Sequence, residues 1–440
     1  IDSLRLWKWM KSSWWIRERS LKKEATKSSL QNRKESIKNY ETFSLEDLLL
    51  RTLEMRTLGV WCGFLILIAG LLLKDYLKKR KKPELIPLSV FIPCYNDAES
   101  IETTIKSLYA SYPKELLEVF IINDKSTDSS LEILQKLNKT YPFHFLNNEK
   151  NLGKSATLNQ ASLKASHETF LILDADMEIN KKNLVEMLRR KTGKVVAVSC
   201  PYLPLNKGFR ATMQAIEYVM MSFLQASYNI QGAIGIWGGC ILVDKKPFLE
   251  VGQFSHQAII EDMDLAFKLT KSGYKVEQAL IPVKTYVPDT FKSRRSQKIR
   301  RGSGGTQCFI KYWNVWIKNP LHILFLSFFC LSIGASAWSF VKDWLIIEPI
   351  LEISHSWTNI FFVLSPKWRA ITLFTKLWFT FFSLPYIIPM IKNRKESWKI
   401  LLVIPFSLIY IPLFSFVNVI AAIKMLFIYK KLEHWKTRGR

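Results

Sequence analysis

The sequence predicts an α/β domain with a mostly parallel sheet, lying in the cytoplasm between apolar segments that cross a membrane. Three observations carry this. Short β-type apolar runs alternate in strict turn with helical patterns between residues 88 and 176. Four stretches, Leu58–Leu73, Leu321–Val341, Ala370–Ile391 and Ile400–Tyr429, approach or exceed the ~20 apolar residues that span a bilayer. The first is followed by "KDYLKKRKK", whose six basic residues favour the cytoplasmic side.

Within the middle region, "LSVFIP" (88–93) reads as a buried strand and "ESIETTIKSLYAS" (99–111) as a helix with Ile101, Ile105 and Leu108 on one face. "LEVFIIND" (117–124) is a strand and "SSLEILQKLNKTY" (129–141) a helix; "FHFLNN" (143–148), the helix "SATLNQASLKA" (155–165) and the strand "TFLILDAD" (169–176) continue the alternation. Such alternation implies a parallel sheet covered on both faces. Ligands bind such sheets beyond the carboxyl ends of the strands. That rule selects Pro93, Tyr95 and Asn96, then Asn123 and Asp124, then Asp174 and Asp176. After the sheet, residues 207–232 are amphipathic, with Met and Phe on one side. They suit a helix packed on the domain or one half sunk in the bilayer surface, and the membrane-bound neighbours favour the second.

The resulting organisation is a basic amphipathic segment over 1–56, a transmembrane helix over 57–77 and the α/β domain over 78–290. Amphipathic interface helices follow over 291–319, and a membrane region of three or four helices over 320–440. The arm over 1–45 mixes Trp and Leu with Lys and Arg, as helices in the headgroup layer do. Since the chain opens at Ile1, an earlier span would place this arm on the favoured side, and both topologies stay open.

Lys and Arg number 63 against 37 Asp and Glu, a formal charge of +26. With spans present and no recognition motif, this surplus is read as solvated faces and attraction to anionic lipid, not as nucleic-acid binding. The six cysteines are scattered with no C-x-x-C pair, so neither a disulfide framework nor a zinc site is indicated.

The chemistry starts at "LILDADMEIN" (171–180). Aspartates at i and i+2 on an extended strand point to one side, so Asp174 and Asp176 can share a ligand. Two adjacent like charges are unfavourable unless a cation lies between them. Hard oxygen donors with an open coordination sphere suit Mg2+ or Mn2+, completed by water and a substrate diphosphate. Lys154, in "NLGKSATLN", adds positive charge for that diphosphate or simply starts a helix. Glu261 and Asp262 precede another helical pattern. They either favour its amino terminus through the dipole or supply a general base, for which Asp262 is the choice. Six basic residues crowd Phe291–Arg301, with Gln297, Arg300 and Arg301 on one helical face. Phosphate contact and lipid anchoring are both open to them.

Taken in order, "FIPCYND", "IINDKSTD", "NLGKSATLNQA", "LILDADMEI", "GGCILVDKKPF", "IIEDMDLAFKL" and "QKIRR" resemble the membrane-embedded family 2 glycosyltransferases. Among these the chain looks most like poly-N-acetylglucosamine synthases, with cellulose, hyaluronan and glycolipid synthases as relatives. The resemblance covers about Leu88 to Gly305 and the flanking spans. It implies a GT-A (Rossmann-like) fold and inversion at the anomeric carbon of a UDP-sugar donor. By motif position, Pro93, Tyr95 and Asn96 line the uridine site, Asp124 contacts the uracil, and Asp174 and Asp176 form the D-x-D metal motif. Asp262 is the base of the T-E-D motif, in which Ile260 replaces the threonine. Gln297 and Arg300 belong to the Q-x-x-R-W motif over the diphosphate and acceptor, where Arg301 replaces the tryptophan that stacks on the acceptor sugar.

The resemblance thus implies a multi-pass cell-membrane enzyme that extends a β-linked polysaccharide from UDP-GlcNAc and passes it through its own spans. Membrane lipid and a small accessory membrane subunit are the implied partners. Arg301 bears against processive synthesis more than against sugar transfer, so single transfer to a lipid acceptor is the alternative. A silent scaffold is disfavoured, because unused metal sites repel internally.

Overall fold

In a computed structural model, the described residues are essentially 66–78, 83–229, 235–318 and 406–438, with a few isolated positions besides. The basic arm over 1–45 and the expected spans Leu321–Val341 and Ala370–Ile391 lie outside them, as does most of Leu58–Leu73 before residue 66. The chain divides into two units, Ile1–Gly63 and Phe64–Arg440, and everything below concerns the second.

An apolar helix over 66–77 leads into the α/β domain. The elements run β1 (Leu88–Cys94), α1 (Ile101–Ser111), β2 (Leu117–Asn123), α2 (Ser130–Leu137), β3 (His144–Asn147), α3 (Lys154–Ser162), β4 (Thr169–Leu173) and β5 (Met177–Glu178). Next come α4 (Lys181–Arg190), β6 (Val195–Ser199), β7 (Tyr202–Pro204), α5 (Phe209–Ala226), β8 (Cys240–Asp244), α6 (Lys245–Glu250), α7 (Glu261–Lys271), β9 (Lys275–Gln278) and β10 (Val283–Thr285). The seven-stranded sheet has the order β3-β2-β1-β4-β8-β6-β9. All its pairings are parallel except those of β8 with β4 and β6.

Period-2 patterning explains why this sheet is covered twice. Val90, Ile92, Val119, Ile121, Leu171 and Leu173 join Ile101, Leu108, Leu134 and Leu184 in one core. The intervening Phe91, Phe120, Ile122, Phe170 and Ile172 join Leu158, Phe248, Leu265 and Leu269 in the other. Phe170 is fully buried, with its ring centroid 5.1 Å from Phe91 and 5.9 Å from Phe248. Truncating it to alanine removes about 3–5 kcal/mol.

β1 lies between β2 and β4, so the chain winds away from it in both directions. The crevice beyond the carboxyl ends at such a reversal is where open α/β sheets take ligands.

Two expectations are corrected here. β4 stops at Leu173, and the strand does not carry Asp174 and Asp176. Asp174 N donates to Gly239 O at 2.8 Å and Met177 N to Asp174 O at 3.2 Å, so the acids occupy a turn between β4 and β5. The amphipathic segment over 207–232 also differs from the favoured reading in packing into the protein along much of α5. Met213, Gln214, Ile216, Glu217, Tyr218 and Met220 are all buried.

α5 packs on β7 and β9, and side chains of α8 (Phe291–Lys311), a helix followed by the short α9 (Trp313–Trp316), reach across to it. α8 turns charge inward: Arg294 and Lys298 are 3% and 5% exposed. Lys298 pairs with Glu217 of α5, and Arg294 Nη1 donates to Tyr410 Oη at 2.6 Å. Tyr410 closes a π-helical turn, Phe406–Tyr410, that opens α10 (Ile411–Arg438). Gly302 brings α8 against α10: a Cβ there would stand 3.2 Å from both Ala421 Cβ and Asn418 Oδ1. Ile411–Ile428 is, among the described residues, the one stretch long and apolar enough to cross a membrane.

Candidate functional site

The loops after β1 and β2 are tied to one another. Asn96 adopts φ 59°, and its Oδ1 accepts from Thr127 N at 2.8 Å and Thr127 Oγ1 at 3.3 Å. Asp97 Oδ2 accepts from Tyr95 N at 3.0 Å, leaving the Tyr95 ring 49% exposed at the rim. Pro93 lies inside β1, opposite Ile122. Asp124 is 3% exposed and already occupied. Its Oδ1 accepts from Leu152 N (2.9 Å) and Asn148 Nδ2 (2.7 Å), and its Oδ2 from Gly153 N (2.8 Å). It therefore grips the loop that launches α3. Gly153 there takes φ 79°, a conformation that glycine adopts without strain.

Lys154 is the first residue of α3. Its Nζ stands 2.6 Å from Asp174 Oδ1 and 3.4 Å from Glu261 Oε1, and donates to Gly238 O at 3.2 Å. The D-x-D turn, the amino end of α7 and the glycine turn before β8 thus meet at one ammonium. Burial disfavours the charge on Lys154, but the carboxylates of Asp174 and Glu261 outweigh it and hold its pKa above the usual lysine range. Asp176 Oδ2 accepts from Thr285 Oγ1 at 3.0 Å, a bond that orients the second aspartate.

Asp174, Asp176, Glu261 and Asp262 share this crevice, and two of them, Asp176 and Asp262, are short of positive charge. Burial, then the charge of Asp174, pushes Asp176 up to about 7. Burial, then Glu261, pushes Asp262 up to about 6, against the pull of Lys154 and Arg301. Burial also acts on Glu261, yet Lys154 and Arg300 hold it below the ordinary value. A desolvated acid cluster that retains protons near neutrality is suited to exchange them for a divalent cation.

Two glycines that sequence reasoning left without a role shape this cluster. A Cβ on Gly238 would overlap the Asp262 carboxyl, and one on Gly239 would overlap Met177, Tyr202 and Asp174. Gly239 N donates to Tyr202 Oη, which seats the turn. The doubled glycine immediately before a buried strand was the available signal. Tyr202 and Thr285 carried none, because their partners are more than 30 residues away in sequence.

On the opposite wall, Gln297 Oε1 accepts from Gln214 Nε2 at 3.2 Å. Arg301 lies over the Tyr218 ring, 5.4 Å from its centroid, with Nη2 3.4 Å from Tyr218 Oη. Tyr218, Tyr202 and Trp237 form a triad of edge contacts with centroids 4.7–5.8 Å apart. Arg301 is thus a cation resting on an aromatic cluster. Ile260 precedes α7 without capping it and packs against Gly304 of α8, where a Cβ would overlap its side chain.

Lys154, Asp174 and Glu261 are thus in direct contact, with Asp176, Asp262, Arg300 and Arg301 in electrostatic reach. Asp124 and Gln297 are engaged by protein partners. Among the described residues no three His, Cys, Asp or Glu side chains converge as a preformed cage. Mg2+ and Mn2+ sites completed by phosphate and water need only one or two carboxylates, and Asp174 and Asp176 fit that donor set.

Residues 89–252 match the model of glycosyl transferase family 2. The poly-beta-1,6-N-acetyl-D-glucosamine synthase of Staphylococcus epidermidis is 29% identical over 57% of this chain and 63% of its own length. That of Staphylococcus aureus strain COL is 28% identical over 56% and 62%. The chain therefore matches less than two thirds of these relatives. Among solved structures, a mannosyltransferase from Pyrobaculum calidifontis, in complex with GDP-Man and Mn2+, covers 85% of this chain and 99% of its own. Its TM-score is 0.50 at 18% identity, a likeness of fold alone. Residues 89–252 therefore carry a region similar to glycosyl transferase family 2, on a GT-A-like α/β fold with a mostly parallel sheet.

Proposed function

We propose that the chain is a membrane glycosyltransferase that moves N-acetylglucosamine from UDP-GlcNAc onto a growing β-linked polysaccharide. The observation that carries the reading is the meeting of the D-x-D turn and the α7 acids at Lys154, with Asp174 at 2.6 Å and Glu261 at 3.4 Å. Such an arrangement supports a cation site beside a general base, as transfer from a nucleotide sugar requires. The choice of sugar is supported by the names of the staphylococcal relatives. Membrane residence is supported by the apolar stretch Ile411–Ile428 packed along α8.

In this reading Asp174 and Asp176 hold Mg2+ or Mn2+, which when bound neutralises charge on the departing diphosphate. Pro93, Tyr95 and Asn96 line the nucleoside, and Asp124 positions its loop while bordering the uracil. Lys154 and Arg300 add positive charge at the phosphates. Asp262 takes the proton from the acceptor hydroxyl as its oxygen attacks the anomeric carbon opposite the diphosphate, inverting that centre. A group with pKa about 6 is suited to accept a proton near neutrality. Gly238 lets the backbone pass close enough to fix the Asp262 carboxyl.

A second reading, single transfer to a lipid acceptor, is favoured by Arg301 on Tyr218, where a stacking ring would steady a polymer end. A donor screen separates them. Full-length protein in membranes with Mn2+ should release UDP fastest from UDP-GlcNAc, against UDP-glucose and UDP-glucuronate, and yield long chains. A single sugar on lipid would select the second reading, and no UDP release from any donor would remove both.

A further inference from the structure

Lys154 is placed more specifically than a phosphate-binding lysine requires. Asp124 grips the N–H groups of Leu152 and Gly153, which sets where α3 begins and aims its first side chain. That side chain meets Asp174 Oδ1 at 2.6 Å, Glu261 Oε1 at 3.4 Å and Gly238 O at 3.2 Å. Asp174 Oδ1 is buried and accepts no well-aligned hydrogen bond, so the ammonium is its only counter-charge among the described residues. An ammonium and a divalent cation on the same carboxylate edge would repel strongly in a partly desolvated crevice.

We propose that Lys154 is a displaceable counter-ion that holds the empty site closed against free metal. Without donor it neutralises Asp174 and clasps Glu261. Arrival of the cation together with a diphosphate moves its ammonium from Asp174 to the phosphate oxygens and loosens Glu261 beside the base. No bond forms or breaks in this step: one ion pair is exchanged for another. The proposal rests on the cation-diphosphate reading of the site and adds that metal and nucleotide must bind together.

The test measures Mn2+ binding by loss of the free-ion paramagnetic resonance signal, using full-length protein with and without UDP, and needs no turnover. Wild type should bind Mn2+ weakly alone and at least ~10-fold more tightly with UDP, as exchange of a close charge pair predicts. Lys154→Met should bind Mn2+ alone ~10-fold more tightly than wild type and lose most of the UDP enhancement. Lys154→Gln, which keeps a polar head, should behave likewise if the Met variant does not fold, and Lys154→Arg should resemble wild type. Affinity for Mn2+ alone that is equal or weaker in both neutral variants overturns the displacement. Absence of Mn2+ binding in every form, with or without UDP, overturns the site reading and this proposal with it.

Discussion

Two buried charge clusters in one domain solve opposite problems. Beneath the helix over 66–77, Asp75 Oδ1 meets Arg80 at 2.5 Å and Asp75 Oδ2 meets Arg190 at 3.0 Å. Arg190 also pairs with Glu186 at 2.6 Å and Glu277 at 3.2 Å. Lys78 reaches Glu277 at 3.9 Å, and Asn229 donates to Asp75 at 3.3 Å. Each acid there has at least one cation in contact, and Arg190, 1% exposed, is held charged by Asp75 and Glu186 against the cost of burial. Burial raises the Glu277 carboxyl above its ordinary range. At the strand ends, among the described residues, Asp174 and Glu261 have Lys154 as their cation in contact while Asp176 and Asp262 have no ion pair, and these last two are pushed up to about 7 and about 6. The first cluster closes on its own counter-charges; the second is short of positive charge, which is what the proposed cation would supply.

The largest effects should break the comparison cleanly. Asp174→Asn should lower UDP release roughly a thousandfold, since a lost Lewis-acid contact is worth several kcal/mol, while the melting temperature holds. Arg190→Met should do the reverse. Stranding Asp75, Glu186 and Glu277 costs about 3–5 kcal/mol of stability by denaturant unfolding, with turnover per folded molecule little changed.

Smaller effects sharpen it. Because Asp176 holds its proton up to about 7, Mn2+ affinity in the presence of UDP should rise about tenfold per pH unit below that value and level off above it. The same shift has a stability sign. A carboxyl whose folded pKa exceeds its ordinary 3.8 contributes stability in acid that is lost as pH climbs to about 7. Asp176→Asn should therefore raise the melting temperature of metal-free protein at pH 8 and not at pH 4. An unchanged melting temperature at pH 8 would mean that the acid is already compensated.

Much of this was legible in the sequence where neighbours in sequence set the outcome. The apolar runs "LSVFIP", "LEVFIIN" and "TFLIL" became parallel strands in register, and the acids after them converged at the switch point. Features that depend on distant partners were not legible. Gly239 O and Tyr202 bend "DAD" into a turn. α8, distant in sequence, turns charged residues toward Glu217 of α5 and Tyr410 where periodicity alone suggests a lipid surface. Likewise "KDYLKKRKK" reads as a lipid-facing basic run, yet Asp75 and Arg80 are among its most buried side chains because Arg190 and Glu277 meet them from over a hundred residues away.

The central claim is that Asp262 is the base of a sugar transfer prepared by the neighbouring acids. Asp262→Asn is nearly isosteric and keeps the Gly238 contact, so Mn2+ and UDP should bind as in wild type. UDP release from UDP-GlcNAc, measured in the same membrane preparation, should fall by about a hundredfold to ten-thousandfold, the usual contribution of a general base. Release at the wild-type rate, with binding intact, would contradict the account.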